Sequence, residues 1–290
     1  MNTAAERCPE GKNTFAFKSK GKHSVLAETL EQYLENISED TFEDSAKKAE
    51  INIKEKDMLY YVKTVCPLCG KRFESPKVRS KYLRMTHMDN DYCKYYDSVN
   101  PLNYEVMVCS HCGFAYTEEI QKMRLSDEQR KTIKSRLEKL LPDRPPRDYS
   151  GVRNLDQAVE TFLLALLALQ GKPAQGSTKG MLYLKIAWLY RYKNNPAKES
   201  DYIEKALSSL VSAYNNEIFQ EIQKELNITY LIAVLYFRTG RYYESARWLE
   251  RILLNRHRPV HPIVSKQAGE LWDEVRQMLR ENNQQLKNRC

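Results

Sequence analysis

Two short cysteine pairs constrain this chain more than any other feature. Cys66-Pro-Leu-Cys69-Gly70 and Cys109-Ser-His-Cys112-Gly113 repeat one pattern, two thiols three positions apart followed by glycine. That spacing lets both sulfurs of a tight turn face one ion, and the glycine tolerates the positive φ that brings backbone N–H groups toward the thiolates. Each pair follows a short aromatic and β-branched run, Leu59-Tyr-Tyr-Val-Lys-Thr-Val65 and Tyr104-Glu-Val-Met-Val108, so a strand is expected to lead into each knuckle. Four soft thiolates in a tetrahedron suit zinc. The expected unit is a ribbon in which Cys66, Cys69, Cys109 and Cys112 hold a structural Zn2+. The 39 residues between Cys69 and Cys109 exceed the roughly 15–20 of a compact four-cysteine finger. The ribbon must therefore contain an insertion.

Iron is the alternative metal, because paired knuckles of this kind also resemble those of rubredoxin. Other donors are weaker candidates. His111 lies between Cys109 and Cys112, where a side chain projects away from the ion, and His87, Cys93, Cys8 and Cys290 lack ligand spacing. A catalytic zinc needs an open coordination position and a nearby base, whereas four cysteines close the site. The chain also lacks a nucleophile motif, a glycine-rich phosphate loop, a histidine-rich metal set and a matched acid–base pair. It is not expected to be an enzyme.

Seven cysteines are an odd number, and four of them sit in the close pairs, which in a reducing compartment points to metal before disulfides. The N-terminal residues Met1 to Gly11 include Glu6, Arg7, Cys8, Pro9 and Glu10 where a signal peptide would place its basic and apolar regions. The densest apolar run is Phe162–Leu169, far short of the roughly 18–20 residues of a bilayer span. A cytoplasmic protein is expected.

The texture changes along the chain. Residues 1–23 are polar and Lys-rich and read as a mobile tail, and residues 24–57 as a helix over Val25–Ile37 with an acidic linker. Residues 58–125 form the β-rich metal-binding part, with one or two strands and a loop expected within Lys77–Leu102. Residues 126–153 hold the end of a helix that starts after Thr117 and reaches about Leu141, then a junction at Pro142–Arg147 that the prolines must break. From 154 to 290 the period is helical: Leu155–Leu169, Met181–Lys193, Ala197–Tyr214, Glu217–Arg238, Tyr242–Leu254 and Pro262–Asn282. The fold class is therefore α+β, a small zinc-ribbon-like unit followed by an all-α domain.

The helical part aligns with itself. Ala187 and Tyr190 precede Ala206-Leu207 by the same intervals at which Ala233 and Tyr236 precede Ile252-Leu253. This is similar to the tetratricopeptide pattern, although Ser245 and Glu199 stand at its alanine positions and the spacing exceeds 34 residues. Stacked helix pairs of this kind present a groove suited to a peptide or partner helix. Tyr183, Lys185, Trp188, Arg191, Tyr230 and Arg238 are the candidate partner-binding residues, and a protein or peptide is the expected partner.

The net charge is +8, with −3 in residues 1–57, +3 in 58–125 and +8 in 126–290. Arg247 and Arg251, one helical turn apart, are candidates for anion binding. With the basic and aromatic insertion they support an alternative, binding of nucleic acid. Acidic Glu74, Asp89, Asp91 and Asp97 interrupt that surface and count against it.

Four stretches carry a wider likeness: Cys66-Pro-Leu-Cys69-Gly70-Lys-Arg-Phe73, Lys77-Val-Arg-Ser-Lys-Tyr-Leu-Arg84, Asp89-Asn-Asp-Tyr92, and Asn100-Pro-Leu-Asn-Tyr-Glu-Val-Met-Val-Cys109-Ser-His-Cys112-Gly-Phe-Ala115. In these the chain resembles the bacterial domain-of-unknown-function 2225 family, from roughly Leu59 to the C-terminus. Cys93 falls outside the motif. The resemblance implies a cytosolic bacterial protein with a metal-binding domain joined to tetratricopeptide-like helices, and it brings no established activity.

Overall fold

The computed structural model describes residues 55–140, 148–169 and 176–289. The expected tail, the Val25–Ile37 helix and the proline-rich junction lie outside the described residues. The aromatic and β-branched run ahead of the first knuckle forms β1 (Leu59–Val65), which pairs antiparallel with β2 (Arg72–Val78), placing Val65 opposite Arg72 and Leu59 opposite Val78. The first knuckle is the tip of this hairpin. The insertion forms a second hairpin, β3 (Met85–Met88) with β4 (Lys94–Tyr96). The second knuckle is the tip of a third, β5 (Met107–Val108) with β6 (Ala115–Tyr116), where Val108 faces Ala115.

The run Tyr104–Val108 is a strand over its last two residues alone. Before them Pro101–Tyr104 takes a tight 3-10 turn, with Pro101 near its start and the Asn100 side chain accepting from the Leu102 amide. Around these hairpins Leu59, Val78, Val99 and Tyr104 form a small buried cluster, against which Met58, Tyr82 and Val152 pack. Phe73, Phe114 and Tyr116 pack ring to ring beneath the knuckles, at 6.3 and 5.6 Å between centroids.

Helices follow. Where one helix is expected after Thr117 the structure has two, α1 (Glu118–Gln121) and α2 (Asp127–Leu140). The break has a local cause: the Ser126 amide donates to Gln129 Oε1, and the Gln129 amide donates back to Ser126 Oγ, a reciprocal cap that opens a new helix. Then come α3 (Leu155–Ala168), α4 (Gly176–Tyr192), α5 (Pro196–Asn216), α6 (Ile222–Arg238), α7 (Tyr242–Leu253) and α8 (Pro262–Arg289). Neighbours in sequence pack against one another from α3 to α8.

Two of the helix ends share one geometry. After α4, Asn194 holds φ +52° and the Asn195 amide donates to Tyr190 O at 3.0 Å. After α6, Gly240 holds φ +74° and the Arg241 amide donates to Tyr236 O at 2.9 Å. Both are left-handed helix stops of one type. Ala187, Ala206, Ala233 and Ile252 are fully buried. Helix α4 includes residues ahead of the apolar period that opens at Met181, and Gly176 and Gly180 lie where it crosses α5. A Cβ on Gly180 would sit 2.7 Å from Leu210 Cγ and Cδ2. Among the described residues no helix is long and apolar enough to cross a membrane.

The β part and the helices are joined by a buried cation that the sequence does not advertise. Arg153 is 2% exposed. Its side chain donates to the carbonyls of Tyr149, Asn103 and Val106, the last at 2.7 Å, and its amide donates to Tyr104 Oη. Burial lowers its pKa to about 10, and the carbonyls stand in for the water it has lost.

Candidate metal centre

The two knuckles are copies of one backbone design. In the first, the Cys66 amide donates to Lys71 O and the Gly70 amide to Cys66 O, at 2.9 and 3.0 Å. In the second, the Cys109 amide donates to Phe114 O and the Gly113 amide to Cys109 O, both at 2.9 Å. Gly70 and Gly113 take φ of +73° and +71°, a region that side chains disfavour, so glycine is required to turn each chain back.

The four sulfurs meet between the hairpin tips. Cys66 Sγ lies 3.7 Å from Cys112 Sγ, and Cys69 Sγ 3.7 Å from Cys109 Sγ. All four ligand atoms lie within 4.8 Å of one another. Metal–thiolate bonds of about 2.3 Å in a tetrahedron give S···S edges of about 3.8 Å, so the set fits one ion. Cys66 and Cys109 are buried while Cys69 is exposed, which puts the cluster at the edge of the molecule. Held close together as thiols, the four groups polarise one another. Hydrogen bonds from Cys112 and Cys66 draw the Cys109 thiol far down, and the bond to Cys109 pushes Cys66 and Cys112 up. A cation would replace those protons and relieve the mutual repulsion of four thiolates.

Neighbouring groups hold the knuckles rather than joining the donor set. Leu68 donates its amide to Cys66 Sγ at 3.4 Å. Arg130 on α2 donates to Pro67 O at 2.7 Å. His111 points its Nε2 at Arg72 O, 3.0 Å away. A carbonyl can only accept, so Nε2 carries the proton and the ring ties the second knuckle to the first hairpin. His87 stacks on Tyr95 with centroids 4.0 Å apart. Cys93 is fully buried and donates to Tyr192 Oη at 3.2 Å, and burial pushes its thiol up to about 11. Among the described residues the four paired cysteines alone form a ligand cluster. Cys8 and Cys290 lie outside the described residues.

The six candidate partner-binding residues are in the helical half, and five of them meet the chain's own β part. Trp188 and Arg191, three apart on α4, face the tip of the β3–β4 hairpin. Trp188 Nε1 donates to Asp91 Oδ2 at 3.2 Å. Arg191 donates from Nη2 to Asp91 Oδ2 at 2.6 Å, from Nη1 to Asp89 Oδ2 at 2.6 Å, and from Nε to Glu199 Oε1 at 2.7 Å. Arg238 reaches Glu199 at 3.4 Å and Asp91 at 3.9 Å. Tyr230 packs against Tyr92, and Lys185 pairs with Glu105. Tyr183 is buried against Tyr202 on α5. Lys185 and Trp188 also line a cleft of about 500 Å3 with Tyr92, Tyr104 and Tyr192. Arg247 and Arg251 lie on the exposed side of α7, with the Arg251 guanidinium 4.2 Å from the Trp248 ring centroid.

Asp91 is the functional-looking residue that sequence reasoning passes over. In the sequence it reads only as one of the acidic residues that interrupt the basic insertion and as part of the stretch Asp89-Asn-Asp-Tyr92.

The model of a family described as an uncharacterized protein conserved in bacteria, DUF2225, matches residues 59–275. No curated protein and no solved structure matches the chain.

Proposed function

The chain belongs to the DUF2225 family of bacterial proteins, and from that premise we propose that it is a non-enzymatic interaction protein of the cytoplasm whose ribbon is folded by a structural zinc ion. One observation carries the reading: four cysteine sulfurs from two hairpin tips within 4.8 Å of one another. Zinc is favoured over iron because two-stranded hairpins are marginal in water and need a staple, a role that does not require redox chemistry. Cys66, Cys69, Cys109 and Cys112 would hold the ion, and with four protein donors no position is left for a substrate. The helix pairs, tetratricopeptide-like in register, would supply the surface for a protein partner.

Replacing Cys66 and Cys69 together by serine tests the metal half of this reading. The variant is expected to lose the ion and the ordered ribbon while most helical circular dichroism remains. A double variant with full metal content would sink the four-cysteine assignment. The partner half is tested by capture of the tagged protein from native lysate with and without nuclease. Protein partners that survive nuclease and moderate salt support the interaction reading. Binding that disappears with nuclease and weakens steeply with salt would favour nucleic acid.

A further inference from the structure

The β3–β4 hairpin stands on strands of four and three residues, and every side chain of β3 is exposed, Met85 and Met88 by 52% and 41%. A hairpin of that length has little stability of its own. Its tip is nevertheless held as a ligand is held. Asp91 is 0% exposed. Its two oxygens receive Arg191 Nη1 at 3.1 Å and Nη2 at 2.6 Å, Trp188 Nε1 at 3.2 Å and the Cys93 amide at 3.3 Å. Asp89 receives Arg191 Nη1 and Tyr95 Oη. Tyr92 holds φ +68°, places its ring 5.7 Å from that of Tyr230, and donates from Oη to Gln267. A left-handed conformation is unfavourable at a bulky residue, and here it aims one ring into the helices.

We propose that the face made by Trp188, Arg191, Tyr230 and Arg238 is a recognition site for an acidic peptide segment, two carboxylates two positions apart followed by tyrosine, and that the hairpin tip occupies this site in cis. The proposal rests on the reading of the helical half as an interaction surface and gives that surface the chemistry of its partner. Without the tip, the Nη1 and Nη2 donors of Arg191 lose their carboxylates while its Nε and Arg238 keep Glu199, and Glu270 and Glu274 lie toward Tyr230 at the other end, so the face offers a forked guanidinium to carboxylates at the Arg191 end. Glu199, paired with both guanidiniums, makes it a poor seat for a nucleic-acid backbone. A buried ion pair adds little stability over apolar packing, whereas the forked guanidinium fixes where a carboxylate must sit. The groups that fill the face come from one contiguous stretch, Asp89 to Tyr92, so a segment of another chain with the same chemistry can present them once it adopts the same turn.

The probe is a fluorescein-labelled peptide with the sequence of Met88–Tyr96, serine replacing the cysteine, added to the full metal-bearing chain. A tethered tip competes at an effective concentration on the order of millimolar, so the unaltered protein should bind the probe weakly. Asp89→Asn with Asp91→Asn should loosen the tip and tighten probe binding at least about ten-fold, with metal content and far-ultraviolet circular dichroism unchanged. Adding Arg191→Met to that variant should abolish binding. A folded variant that binds no tighter than the unaltered chain overturns the proposal, as does equal binding of a probe with both aspartates replaced by asparagine. Should the variant fail to fold, hydrogen exchange on the unaltered chain decides. Several-millimolar probe should speed exchange of the Asp89 and Tyr92 amides, which donate to Cys93 O and Asp89 O in the docked tip. Unchanged exchange overturns the proposal. A chain that keeps its ion and ignores the probe removes this inference and leaves the metal-folded ribbon standing.

Discussion

Arg191 gives its guanidinium to three carboxylates while only 11% of its side chain reaches solvent. Burial pushes the Asp91 carboxyl up, but the hydrogen bonds and charge of Arg191, with the charge of Arg238, hold it below the usual carboxylate range. Arg191→Met therefore leaves Asp91 buried with only the more distant Arg238 for a cation, and urea unfolding should show a loss of about 3–5 kcal/mol. Combining it with Asp91→Leu should restore much of that loss, since an apolar pair replaces an ion pair at small cost. Additive losses in the double variant would mean that the two side chains do not act as a pair. The two residues were unequally legible in the sequence. Arg191 shares a helical face with Trp188 and so stands out as a groove residue. Asp91 carries no local mark of burial, because the partner that makes burial tolerable lies 100 positions away. Arg153 escapes notice for the same reason, its charge being satisfied by carbonyls that sequence patterns cannot display.

At the scale of elements, legibility follows locality. Each knuckle is specified within a few residues by two thiols and a glycine, so both cysteine turns and β1 can be read directly, whereas the strand entering the second knuckle shortens to Met107–Val108 behind the turn at Pro101–Tyr104. Helix limits depend on packing as well as period. The single helix expected after Thr117 is split by a cap at Ser126, and α4 carries Gly176 and Gly180 where α5 leaves no room for larger side chains. Gly180→Val should thus force α4 away from Leu210 and lower stability by about 1–3 kcal/mol by thermal or urea unfolding. An unchanged or raised stability would show that Leu210 moves aside without loss.

For the molecule as a whole, the length of the insertion is plain from the cysteine spacing, but its destination is not. The hairpin it forms crosses to the helices and fills the face that helical spacing alone marks for a partner. Two remote parts must fold before that contact exists, and single-sequence periodicity carries no record of it. The ribbon consists of three separate two-stranded sheets, none large enough to stand alone, so its order depends on the four sulfurs, the small aromatic core beneath them and the docking of the tip. X-ray absorption of the natively purified protein, read with its metal stoichiometry, tests this dependence at its source. The account predicts one zinc ion per chain surrounded by four sulfur atoms at about 2.3 Å. Iron in the centre, a histidine nitrogen among the ligands, or a folded protein with no stoichiometric ion would contradict it.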